Sequence, residues 1–178
     1  AISPDPIFDI GEPGTFDENG ILTCSVVKTN NNKYHFYYAG FELGTKIRYR
    51  LLTGLAITNE KFELTKKFKT AVLERSDKEL HFRGGPFCMN DNGIFKMWYV
   101  AGSDWTEING KQMPVYEIKY LESPDGINWG EEGVDCIKIE KSNEHGFGRP
   151  YVIKHGGIYK MFYSIRIKHK GYRLGYAE

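Results

Sequence analysis

The sequence predicts an all-β chain, about three blades of a β-propeller with four antiparallel strands in each blade. Three observations carry this prediction. One stretch recurs three times without a gap: residues 25–38 (SVVKTNNNKYHFYY), 86–99 (PFCMNDNGIFKMWY) and 150–163 (PYVIKHGGIYKMFY). Each copy reads as an apolar run, a polar turn and an aromatic-rich run, which is the pattern of a β-hairpin. Between the copies no stretch has the spacing of a convincing amphipathic helix; residues 62–70 come nearest, and a β-meander describes them better. A β-sandwich is the structural alternative, but it does not explain the gap-free repetition.

In chain order, residues 5–10 (DPIFDI) look like the outer strand of a preceding or closing blade. The first blade spans about 16–74. After its hairpin a third strand is expected at 53–58 (TGLAIT) and a fourth near 69–74. The second blade spans about 82–140, with a third strand at 116–123 (YEIKYLES) and a fourth near 134–140. A turn rich in Ser, Pro, Asp and Gly separates them at 123–129 (SPDGINW). The third blade spans about 147–178 and ends on a third strand at 172–178 (YRLGYAE). Three blades are fewer than the four to eight of an ordinary ring, so the chain is expected to be a fragment of a five-bladed propeller. Open blade edges are expected to drive homo-oligomerisation, unless DPIFDI closes against YRLGYAE.

Composition narrows the function. The 178 residues are 40% hydrophobic and 26% charged, as in soluble globular chains. With 24 basic and 23 acidic residues the net charge is +1, which supports neither a nucleic-acid nor a membrane partner. No apolar run is long enough to span a bilayer, and residues 1–10 lack the pattern of a signal peptide. The three cysteines, Cys24, Cys88 and Cys136, are an odd and sparse set with no zinc spacing. Buried free thiols in a reducing, cytoplasmic compartment are expected, and no cofactor or metal is indicated. No Asn-x-Ser/Thr acceptor is present.

Aromatics reach 15%, which suits strands and sugar-stacking surfaces alike. Because propeller strands alternate in direction, the lead-in to each first strand and the connection between second and third strands fall on one face. Both classes are expected to be long loops, at 15–24, 80–85 and 143–149, and at 40–52, 102–115 and 165–171. That face collects Asp17, Arg50, Arg83, Trp105, Glu144, His145 and Arg149, with Arg48, Arg166 and His169 beside them. Carboxylates accept hydroxyl hydrogen bonds, guanidinium groups donate in forks and rings stack on sugar faces, so a carbohydrate or anionic partner fits. Each residue also has a plainer reading: Asp17 in the turn Asp17-Glu18-Asn19-Gly20, Arg149 pairing with a neighbouring blade, Trp105 shielding a blade edge.

Phe16-Asp17-Glu18-Asn19-Gly20 followed by SVV, KYHFYYAG and GLAIT resembles the five-bladed glycosidase-like propellers of the arabinanase, levansucrase and invertase superfamily, glycoside hydrolase families 43 and 32. IKYLESPDGINW and GRPYVIKHGGIYKMFYS add to the resemblance, which covers nearly the whole chain and is nearest to propellers associated with bacterial surface-glycan genes. It implies a site at the propeller axis and glycoside hydrolysis by carboxylates, one a base or nucleophile and one a general acid. In that pattern the acids stand one or two positions before the residue that opens each first strand. Here those positions hold Thr23-Cys24, Gly84-Gly85 and Gly148-Arg149. Any hydrolysis therefore falls to Asp17 and Glu144 as the acid/base pair, with Arg83, Trp105, Arg149, Arg50 and His145 binding substrate. The alternative is a non-catalytic glycan-binding or protein-interaction propeller.

Overall fold

The computed structural model describes residues 4–178, and strands are the only long regular elements among them. In chain order they are β1 (Ile21–Lys28), β2 (Tyr34–Leu43), β3 (Tyr49–Thr58), β4 (Leu64–Lys67), β5 (Phe82–Asp91), β6 (Ile94–Ile108), β7 (Lys111–Ser123), β8 (Val134–Ile137), β9 (Glu144–His155), β10 (Ile158–Ile167) and β11 (Arg173–Ala177). Strands β1–β4, β5–β8 and β9–β11 are three antiparallel meanders, the blades. Short parallel pairings join them: Leu51 and Leu52 of β3 to Phe82 and Arg83 of β5, and Tyr116 of β7 to Gly146 of β9. All eleven strands thus form one connected sheet.

The repeated stretch supplies the first two strands of each blade. Its tight turns narrow to Asn92-Gly93 (φ 55° and 89°) and Gly156-Gly157 (φ 60° and 82°). Two consecutive left-handed residues match the strand twist, which is why Gly and Asn stand there. The period of two then sorts the first strands into two sets. The equivalent Val27, Cys88 and Val152 are buried between blades. Their neighbours Val26, Phe87 and Tyr151 face the other way and line a cavity described below.

Three apolar cores alternate with the blades. One covers the outer side of the first blade with Phe16, Phe36, Tyr38 and Leu52. The second lies between the first and second blades (Tyr37, Leu55, Met97, Tyr99, Trp129) and the third between the second and third (Trp98, Ile118, Phe147, Met161). The SPDGINW turn latches two blades. Tyr37 donates its hydroxyl to the Gly126 carbonyl at 2.8 Å, and Asp125 Oδ1 accepts the Ile127 and Asn128 amides at 2.8 and 2.9 Å. Burial opposes the Asp125 charge, yet those amides hold its pKa down to about 2.

Several elements differ from expectation. The second-to-third connections are not long loops in the first two blades. β6 runs on to Ile108 and turns at Asn109-Gly110 (φ 53° and 72°) straight into β7, and β2 and β3 extend likewise to Leu43 and Tyr49. The fourth strand of the first blade is Leu64–Lys67, not 69–74. In the later stretch the apolar Ala71 and Leu73 serve the core, and only an isolated Thr53–Leu73 bridge joins the ladder. Residues 5–10 form no strand. Phe8 packs on Phe36 and Tyr38 with ring centroids 6.0 and 5.4 Å apart, so the segment contributes a side chain rather than a ladder, and β11 pairs with β10.

Candidate functional site

Each first strand carries a β-bulge near its start: at Cys24 in β1, at Gly85-Pro86 in β5 and at Arg149-Pro150 in β9. These are the positions where the resembled hydrolases place carboxylates, and none here is acidic. A bulge bends the strand and turns a side chain away from the ladder. Gly85 takes φ 59° at no steric cost, but the equivalent Arg149 is held at φ 52°. That conformation costs a non-glycine residue roughly 1–2 kcal/mol, and the following proline disfavours it further. The Arg149 side chain is exposed and near Cys24. Burial pushes the Cys24 thiol up to about 11, against an Ala39 backbone hydrogen bond and the Arg149 charge, which both lower it. Next to these bulges lies a cavity of about 610 Å³ lined by β1 from Thr23 to Lys28, by β5 from Phe87 to Asn90, and by Tyr151 of β9. Three first strands facing one space define the axis side of the blades. Phe87 and Tyr151 meet there at 5.1 Å.

Asp17 and Glu144 belong to different blades; one precedes β1 in the first blade and the other opens β9 in the third. Asp17 is tied to its blade, and the second blade repeats the arrangement with Glu79. Tyr38, Tyr99 and Tyr163 close the three copies of the repeat. Tyr38 donates to Asp17 Oδ2 at 2.9 Å, Tyr99 donates to Glu79 Oε2 at 2.9 Å, and burial followed by the Glu144 charge raises the Tyr163 hydroxyl. A lysine completes each set: Lys67 2.8 Å from Asp17, Lys119 2.9 Å from Glu79 and Lys141 3.3 Å from Glu144. Asp17 is 1% exposed, and its Oδ1 has no hydrogen-bond partner among the described residues. Arg83 belongs to the same kind of cluster. It is 3% exposed, 2.7 Å from Glu79, and donates to the Glu74 carbonyl at 2.6 Å. The signal was present as an acidic residue about twenty positions before each of these tyrosines.

The remaining candidates gather on the face of the second-to-third hairpins. Trp105 donates Nε1–H to His81 Nδ1 at 3.1 Å, so the His81 proton sits on Nε2. Its ring lies 5.6 Å from Tyr49 and 5.3 Å from Phe82. Arg48 stacks over Tyr49 at 5.8 Å, and Arg50 pairs with Glu42 at 3.5 Å. Burial and the nearby Arg50 charge hold His81 below its ordinary pKa. His145 is buried and donates Nδ1–H to the Pro114 carbonyl at 3.2 Å; burial first, then Arg166 and Lys168, lower its pKa. The pairings of Leu51 with Phe82 and Tyr116 with Gly146 bring these residues of consecutive blades side by side. The face thus carries the partly exposed Tyr49 and Trp105 rings over the buried Phe82, edged by guanidinium groups, able to stack on a ligand and to donate hydrogen bonds. Among the described residues no three His, Cys, Asp or Glu side chains cluster as metal ligands.

No protein-family model matches the chain. It is 29% identical over 168 residues to the uncharacterised protein Rv1502 of Mycobacterium tuberculosis, an alignment covering 93% of this chain and 54% of that protein. The chain spans about half the length of the curated relatives it matches. Among solved structures it is similar to sucrose-6-phosphate hydrolase from Lactobacillus gasseri, with a TM-score of 0.67 and 16% identity over 88% of this chain and 30% of that one. A BT0996–RGII complex gives a TM-score of 0.73 at 15% identity, covering 97% of this chain and 50% of that protein. A thermostable family-43 glycoside hydrolase gives 0.63 at 25% identity, covering 85% and 48%. The chain therefore has the blade fold of the glycosidase-like propellers, the superfamily of arabinanases, levansucrases and invertases that its motifs resemble.

Proposed function

We propose that this chain binds carbohydrate on the hairpin face and does not hydrolyse it with Asp17 and Glu144. The observation that carries this reading is the pair of partly exposed rings Tyr49 and Trp105, seated on the buried Phe82 and bordered by Arg48, Arg50 and His81. Flat rings pack against the C–H faces of a sugar while guanidinium and imidazole groups donate to its hydroxyls. Arg149, strained and exposed at the axis, is a second hydroxyl or oxyanion donor. Asp17 is held in the first blade by Tyr38 and Lys67, and Glu144 opens the third beside Lys141, so the two are poorly suited to act together, since hydrolysis needs a pair roughly 5–10 Å apart across one bond. A role in bacterial surface-glycan metabolism, in the cytoplasm, is consistent with three unpaired thiols.

A glycan array followed by calorimetry on the best neutral hit tests this. Trp105→Ala is expected to weaken binding at least about tenfold, the equivalent of ~1.4 kcal/mol. Aryl-glycoside turnover is expected to be at background. Robust turnover that disappears in Asp17→Asn or Glu144→Gln overturns the non-catalytic part of the reading. Unchanged binding in Trp105→Ala overturns the site.

A further inference from the structure

We infer that a second, adjoining site on the hairpin face holds a compact oxyanion, the phosphoryl or carboxylate group of an anionic sugar. The inference rests on the reading of this face as carbohydrate-binding. A cavity of about 490 Å³ lies between the tip of the β6–β7 hairpin, the start of β9 and the β10–β11 turn. Lys111, Arg166 and Lys170 line it together with His145 and His169, and none of its lining residues is acidic. Among the described residues no carboxylate is within ion-pair distance of Lys111, Arg166 or Lys170. In a chain of net charge +1 with plentiful surface ion pairs, three uncompensated cations around one cavity are a local arrangement and not a consequence of composition.

Arg166 is pre-positioned. It donates to the Tyr116 hydroxyl at 2.8 Å, and its guanidinium lies 5.6 Å from the Tyr116 ring and 5.7 Å from the Tyr172 ring. Held between two rings, it loses little side-chain freedom on binding, and its remaining N–H groups form a fork suited to an oxyanion. His145 Nδ1–H is committed to the Pro114 carbonyl, which leaves Nε2 free to accept a hydroxyl proton from the sugar. His169 adds an independent sign. It occupies the third position of the turn closed by the Lys170 amide and the Ile167 carbonyl, at φ 61°, where glycine is the unstrained choice. A histidine kept at such a position, on the rim of a cationic cavity, marks strain retained for its side chain.

Calorimetry at fixed ionic strength with glucose, glucose 6-phosphate, glucuronate and inorganic phosphate tests this. The two anionic sugars are expected to bind at least tenfold tighter than glucose. Competition by inorganic phosphate against both anionic sugars would assign the shared oxyanion site, and the tighter of the two sugars would identify the preferred oxyanion; failure of phosphate to compete with either overturns the site. Arg166→Gln is expected to abolish the preference. Because Arg166 is packed between rings, Lys111→Gln on the exposed hairpin tip and His169→Gly serve as variants that keep the fold. His169→Gly is expected to raise Tm while weakening the anionic sugars several-fold, a split that a purely structural role does not produce. Equal binding of glucose and the anionic sugars, or wild-type affinity in all three variants, overturns the inference. If neutral glycans bind through Trp105 and the anionic sugars gain nothing, the oxyanion site fails and the carbohydrate reading stands. If anionic sugars bind through Arg166 and Trp105→Ala changes nothing, the converse holds.

Discussion

At the scale of the residue, the buried carboxylates Asp17 and Glu79 are each held by a tyrosine of the repeat. Glu79 is 1% exposed and meets Tyr99, Lys119 and Arg83 at once. A buried carboxylate is tolerable only when its charge is matched and its oxygens are satisfied, and here both conditions are met. Removing the charge leaves Arg83, 3% exposed, without its counterion. Glu79→Gln is therefore expected to cost about 3–5 kcal/mol, the range for breaking one partner out of a buried pair. Chemical denaturation monitored through Trp129, buried in the same core, measures it. A loss below about 1 kcal/mol would mean that water already reaches the cluster. Asp17 stands at the same place in its blade, so its chemistry reads first as pinning the lead-in segment to the sheet.

At the scale of the element, each blade needs room beside its closing tyrosine. Gly54 of β3 pairs with Tyr38, and a Cβ there would sit 2.2 Å from the Tyr38 ring; Gly175 of β11 stands opposite Tyr163 with a Cβ position 2.4 Å from that ring. In the second blade Lys119 takes this position and reaches Glu79 with its amine instead. One ladder position thus serves either ring packing or ion pairing. Gly54→Ala forces the Tyr38 ring off its seat and strains its bond to Asp17, with an expected cost of about 1–3 kcal/mol from overpacking. Thermal melts of Gly54→Ala beside Tyr38→Phe separate the two effects. If Gly54→Ala melts like wild type, the ring has room to move and the close approach is incidental.

At the scale of the whole molecule, the blades stack through three cores, and the third blade presents an apolar surface. Tyr172, Leu174 and Tyr176 of its last strand region are 65%, 77% and 50% exposed. The edge of β11 next to them is a row of backbone groups able to pair with another strand. Large exposed apolar patches mark association surfaces. This chain is expected to self-associate as concentration rises, and Leu174→Lys with Tyr176→Lys is expected to return it to monomer. Light scattering across a concentration series measures both; a monodisperse monomer at every concentration contradicts the expectation.

The blade itself was legible from the amino-acid sequence alone, because strand periodicity, turn chemistry and repetition are local. The matching positions of Val27, Cys88 and Val152, and the glycines at 93 and 157, each state their role within a few residues. Strand alternation put Trp105, Arg50 and His145 on one side together with Asp17, Arg83, Glu144 and Arg149, but it could not show that Asp17 and Arg83 are buried. The sequence could not show how charges separated along the chain divide among blades. Asp17 and Glu144 read as a candidate pair, but the fold gives Asp17 a tyrosine and a lysine, gives Glu144 a lysine, and buries an unpredicted Glu79 against Tyr99 and Lys119. Nor could it reveal that Lys111, Arg166 and Lys170 share a cavity without a counterion. Pairing across blades depends on long-range register, and a bulge of one residue at Arg149 redirects everything that follows it on the strand. Period and turn type are properties of neighbours in sequence; a binding site is a property of neighbours in space, and only the tertiary structure sets those.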